Sequence, residues 1–252
     1  TRLIFNSENF DILCSNLSEF RVARAAAASS AVPVVLSSIT IDNYGGTCGY
    51  QQPPWTALFT EAANPPRPAA RTVKRIQELQ AFANREGRPY LHLVDGGVSD
   101  NVGMRGVLDV LSTFEALHAA GERTPYDHVR NIFIFVVNSL ATPPNDWGRH
   151  ENPPALFDVL VKATGTPIDR YSYDAVETLR DIQARWASMR EVRDAIKSYP
   201  VLGDRLQTVM RAPDIIIRVV EVSFGVLPDK RERDFLNTLP TSFVLDDAAV
   251  DR

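Results

Sequence analysis

With 252 residues, 44% of them apolar and 23% charged, the chain has the composition of an ordinary globular protein and the length for one substantial core. A formal net charge of −4 excludes the strongly basic, clustered footprint of a nucleic-acid-binding protein. Every apolar run is far shorter than the ~20 residues that a membrane-crossing helix requires.

Residues 3–6 read as the end of a strand. A helix is predicted over 19–31, with an unusually small face because positions 25–31 are all Ala or Ser. Pro33 cannot continue it, and 34–41 alternates as a strand should. Residues 43–71 form a Pro/Gly-rich insertion of low regularity, and a loop of that length is usually functional or mobile. Its Tyr44, Tyr50, Trp55, Leu58 and Phe59 either line a mouth or lid for an apolar ligand or pack on their own domain. Helical spacing returns over 71–85, with Val73, Ile76, Leu79 and Phe82 on one stripe.

The next segment carries the most information. An apolar run, Tyr90-Leu91-His92-Leu93-Val94, leads straight into Asp95-Gly96-Gly97 and then Asp100 and Asn101. A strand of this kind delivers a carboxylate to the end of a sheet, and loops beyond strand carboxyl ends are where open α/β sheets bind ligands. Gly96 and Gly97 are expected to shape the turn through their backbones. Asp100 and Asn101 are expected to hydrogen-bond that turn or to cap the following helix. That helix is predicted over 104–120, a buried strand over 132–138, a loop over 142–147, an amphipathic helix over 173–199 and a last strand over 215–224. Strands alternating with helices predict an α/β protein with a mostly parallel sheet in three layers.

Several residues invite a role they do not earn. Side chains alternate along a strand, so Leu91, Leu93 and Asp95 share one face while His92 points away from Asp95 and is expected to be packed. His118, His128 and His150 fall in helix-end or loop contexts without metal-ligand spacing. Ser29 and Ser30 lie inside an Ala-rich helix rather than on a strained elbow. Cys14 and Cys48 fit no zinc pattern. They are either two buried thiols or, since both sit in polar loop sequence flanking the 22–41 unit, a disulfide implying an oxidising compartment.

Segment 22–33, Val-Ala-Arg-Ala-Ala-Ala-Ala-Ser-Ser-Ala-Val-Pro, runs on into Val34-Val35-Leu36 and is followed downstream by Asp95-Gly96-Gly97. This set resembles the patatin-like lipid acyl hydrolases. The tail Phe235-Leu236-Asn237-Thr238-Leu239-Pro240-Thr241-Ser242-Phe243 resembles the late part of bacterial members, so the likeness runs from near residue 5 to the end. It implies a three-layer patatin-like fold with a central, mostly parallel sheet. It implies that Asp95 is the general base of a Ser–Asp dyad acting on a lipid or ester substrate, with no metal or organic cofactor. A bacterial periplasm or outer envelope and peripheral membrane contact are the matching expectations.

The chain departs from that family at one decisive point. It contains no Gly-x-Ser-x-Gly, and no Gly-rich loop before Asp95 apart from Gly45-Gly46. Residues 1–252 are therefore expected to be the C-terminal part of one patatin-like domain, incomplete at both ends. The N-terminal half of the same protein would be the partner supplying the Ser, and the chain alone would be inactive. The alternative is a binding or structural module of the same fold that lost its nucleophile.

Overall fold

The computed structural model describes residues 2–33, 36–63, 69–124, 126–139, 147–149, 151–199, 206–239 and 247. It is a mixed helix-and-strand protein. Asn6 accepts the Asn9 N–H at 3.0 Å and so opens helix α1 (Ser7–Ile12). The capping Asn explains why the predicted strand over 3–6 does not form. Helix α2 (Val22–Ser29) follows, starting later than the predicted residue 19 because residues 17–19 form a separate 3-10 turn. Strand β1 (Ile39–Asp42), the short helix α3 (Ala57–Thr60), helix α4 (Ala69–Gln80) and strand β2 (Tyr90–Leu93) complete the first half.

The second half begins with one turn of helix, α5 (Gly97–Asp100), and then α6 (Met104–Ala120). Glycines in the left-handed region bound α6, Gly103 at φ 69° before it and Gly121 at φ 83° after it. At its end Glu122 N–H reaches Leu117 O and Gly121 N–H reaches His118 O, the paired bonds of a Schellman cap. Strand β3 (Asn131–Asn138), helix α7 (Leu156–Ile196), the turn α8 (Gln207–Met210), strand β4 (Ile216–Ser223) and helix α9 (Lys230–Thr238) follow. Helix α7 begins well before the predicted residue 173 and continues through Gly165 and Pro167.

The four strands do not make the expected single central sheet. Among the described residues they form two separate pairs, β1 antiparallel to β2 and β3 parallel to β4. In the first pair Ile39, Ile41, Leu91 and Leu93 turn one face toward Leu13, Leu79 and Phe82. In the second, Ile134, Val136 and Ile217 pack beneath Leu108 and Leu111 of α6 and Val176, Leu179 and Trp186 of α7. This is the main core. Phe59 of the insertion is buried in a third cluster with Ala69 and Ala116, which ties α3 and α4 to α6.

Among the described residues nothing covers the other face of the β3–β4 pair. Phe133, Phe135 and Val137 are 57%, 64% and 69% exposed, and Val220 and Val222 lie opposite Phe135 and Val137 in the register. The strand predicted to be buried over 132–138 is therefore covered on one side only. Parallel strands are ordinarily covered on both faces.

Candidate functional site

Asp95 stands two residues past the end of β2, on the same side of the strand as Leu91 and Leu93, and is partly exposed. Its backbone N–H donates to Ala31 O at 2.9 Å. That bond ties the Asp-Gly-Gly turn to the residue just beyond α2, so segments 64 positions apart in sequence meet at one point. The Asp95 carboxylate accepts the Gly97 N–H at 2.7 Å through Oδ1. Among the described residues Oδ2 accepts no hydrogen bond and no cation pairs with it. One oxygen is thus fixed and, among the described residues, the other is unengaged.

The two glycines of the turn are not equivalent. Gly96 has φ −63° and ψ −28°, which any residue adopts, and open space where a Cβ would stand. Gly97 is closely approached: a Cβ there would stand 3.0 Å from Asp95 Oδ1 and 3.0 Å from Asn101 Oδ1, so both side chains would have to give slightly. A methyl at 97 would push on the carboxylate itself. Of the two glycines expected to shape the turn, only Gly97 is crowded by its neighbours.

Asp100 does the capping work. Both its carboxylate oxygens accept the Arg105 N–H at 3.1 Å, and Oδ2 also pairs with Arg2 Nη1 at 3.2 Å. Arg2 reaches further, donating from Nη2 to Asp109 at 2.6 Å, and its carbonyl accepts from Arg75 at 2.8 Å. This Arg2 network escaped the sequence reading because its partners lie about a hundred positions away. Asn101 is exposed beside the turn.

The remaining candidates fall elsewhere. His92 is exposed rather than packed, and its Nδ1 lies 2.9 Å from the hydroxyl of its cross-strand partner Thr40. The reason is that its face of the β1–β2 pair is open to solvent. His118 is partly buried, with Nδ1 at 2.9 Å from Phe114 O and Nε2 at 3.5 Å from Asp127. His128 is exposed, and His150 lies outside the described residues. Ser29 and Ser30 sit exposed at the end of α2 and Ser99 is exposed on α5. Among the described residues no cluster of His, Cys, Asp or Glu forms a metal site, and no helix is long and apolar enough to cross a membrane.

Cys14 and Cys48 form a disulfide, with Cα atoms 5.4 Å apart. It pins the start of the insertion to the end of α1, and the chain then runs through Tyr50 and Trp55 along the wall of a cavity of about 380 Å³. Tyr50 and Trp55 thus line a cavity, Phe59 packs on its own domain, and Tyr44 stacks with Arg85 at the surface. Asp95 lines neither this cavity nor the small hollow between α5 and α7.

No family model, no curated protein and no solved structure matches this chain.

Proposed function

We propose that this chain is the aspartate-bearing part of a serine lipid acyl hydrolase of three-layer patatin-like fold, acting on glycerophospholipids or related esters. The reading rests first on the residues that resemble that family. The observation that carries it further is the hydrogen bond between Asp95 N–H and Ala31 O. It brings the residue just past the Ala/Ser helix to the Asp-Gly-Gly turn, where the carboxylate is held through Oδ1 by the Gly97 N–H and, among the described residues, Oδ2 is unengaged.

A serine hydroxyl is a weak nucleophile until a base within hydrogen-bond reach takes its proton. In the proposed dyad the Ser attacks the ester carbonyl while Asp95 Oδ2 receives that proton. Asp95 then returns it to the leaving alcohol and later deprotonates the water that releases the acyl group. The Gly97 N–H on Oδ1 holds the carboxylate in one orientation through both steps. The Ser, absent from these residues in its motif, comes from polypeptide outside this sequence, as do the backbone amides that hold the oxyanion.

The test uses p-nitrophenyl butyrate and phosphatidylcholine vesicles with the longer polypeptide that this reading requires. Asp95→Asn keeps the shape and removes the base, so the rate falls by orders of magnitude with the melting temperature unchanged. Undiminished activity in that variant would refute the assignment. If the 252-residue chain alone hydrolyses the ester and Asp95→Asn abolishes it, the nucleophile lies within these residues, and Ser99 is the first to substitute.

A further inference from the structure

The 380 Å³ cavity lies between the 2–12 segment, α4, α6 and the 50–56 stretch of the insertion, away from Asp95. Its volume falls in the range of small-molecule sites, roughly 300–1,000 Å³. Trp55, Ile76, Leu79 and Phe114 give its wall a mainly apolar character. Three arginines, Arg2, Arg75 and Arg123, interrupt it, and Arg2 and Arg75 stand side by side.

These two arginines are not alike. Arg2 is neutralised by Asp109 at 2.6 Å and Asp100 at 3.2 Å. The Arg75 side chain is only 13% exposed, and its hydrogen-bond partners are neutral, the Arg2 carbonyl at 2.8 Å and Asn9 Oδ1 at 3.3 Å. The nearest carboxylate it pairs with, that of Glu78, stands 3.8 Å away. Buried charges are ordinarily paired closely, whereas Arg75 makes its hydrogen bonds to neutral acceptors and has only a long ion pair, with Glu78, so its charge is incompletely compensated. Burial, and then the neighbouring Arg2 charge, hold the Arg75 guanidinium below its ordinary pKa, against the pull of Asp109, Glu78 and Glu8. Across the whole wall Glu8, Asp109 and Glu122 balance Arg2, Arg75 and Arg123, so any preference for an anion is local to Arg75.

We propose that this cavity binds an aliphatic monocarboxylate, with the carboxylate on Arg75 and the tail among Trp55, Ile76 and Phe114. A single negative charge matches a single under-compensated guanidinium, whereas a dianion would carry a second charge into apolar surroundings. The exposed Val110 and Tyr126 stand at the rim. The site is separate from Asp95 and its test involves no ester hydrolysis, so it stands or falls independently of the proposed catalytic role.

The experiment titrates octanoate and 1-octanol into the 252-residue chain at neutral pH by calorimetry. Octanoate binds at one site at least about tenfold more tightly than the alcohol, because only the acid supplies a counter-charge at hydrogen-bond distance. Arg75→Gln brings octanoate down to the alcohol's affinity, while Arg75→Lys keeps the preference. Gly106→Leu is the steric arm. Gly106 lines the cavity from α6 with no atom within 4 Å of its Cβ position. Leucine there fills the space, suits the helix better than glycine, and abolishes binding of both ligands with the fold intact. Equal affinity for acid and alcohol, absence of octanoate binding, or octanoate binding unchanged in Gly106→Leu would each overturn the proposal.

Discussion

Removing the Cys14–Cys48 disulfide is the perturbation whose size the structure fixes most directly. The bridge spans a sequence separation of 34. In the chain-entropy account, closing a loop of that length removes about 12–13 cal/mol/K from the unfolded ensemble, or about 3.8 kcal/mol at 25 °C. Cys14 itself sits at φ 51° in the left-handed region, which costs a non-glycine residue about 1–2 kcal/mol. Cys14→Ser/Cys48→Ser keeps that strain and loses the cross-link, so it should be destabilised by about 3–4 kcal/mol. At about 2–4 °C per kcal/mol for a chain near this size, the melting temperature should fall by about 8–15 °C in a calorimetric scan. Cys14→Gly/Cys48→Ser removes the strain as well and should melt at or above the double Ser variant. Hydrogen exchange should rise in residues 44–56, which the bridge tethers, and stay low in α6 and α7. A loss under about 1 kcal/mol, or a uniform rise in exchange, would refute the view that this bridge holds the insertion against the body.

Three further outcomes separate structural from chemical roles. Asp100→Ala removes the acceptor of the Arg105 N–H and one of the two carboxylates on Arg2, so chemical denaturation should show a loss of about 1–2 kcal/mol; Asp95→Asn should lose under about 0.5 kcal/mol, and equal losses would undo the division of labour between them. Phe135→Ser on the exposed face of the β3–β4 pair should lower dye binding and self-association with stability within about 0.5 kcal/mol, and a loss above about 2 kcal/mol would mean that the residue is packed. The Thr124 hydroxyl and then the Thr124 N–H, both donating to it, hold the Asp127 carboxyl below its ordinary value of 3.8. A carboxyl depressed in the folded state adds stability above that value and loses it as pH falls further, so the 124–127 turn should loosen in strong acid by NMR titration, and Asp127→Asn should flatten that response.

The legible parts of the fold are those written in local chemistry. Helix α6 spans Met104–Ala120 as predicted because glycines able to take positive φ stand on both sides of an amphipathic run. Strands β3 and β4 fall within a residue of their predicted bounds because branched and aromatic residues run unbroken there. The partners of those strands were not legible. A run such as Ile132-Phe133-Ile134-Phe135-Val136-Val137 says that both faces are apolar, and nothing local says that α6 and α7 cover only one of them. Asp100 as a cap was foreseeable from its place before a helix. The Arg2 network around it was not, because no local pattern couples residue 2 to residues 100 and 109.

Two features of the turn decide how Asp95 should be weighed. A turn-forming Asp commonly bonds a backbone N–H two residues on, and Asp95 does so with Gly97. Taken alone, that bond makes it an ordinary Asx turn. A turn of that kind, however, has no need of glycine at the residue that donates. Here a Cβ on Gly97 would crowd the Asp95 oxygen it serves, while Gly96 beside it is sterically free. A Cβ at 97 would meet Asp95 Oδ1 and Asn101 Oδ1 equally closely, so Gly97 bears on the position of the carboxylate whether Asp95 is the proposed base or a turn residue. Gly97→Ala is therefore the sharper companion to Asp95→Asn. A base displaced by a few tenths of an ångström should lose most of its rate while the turn survives, and Gly96→Ala should lose none.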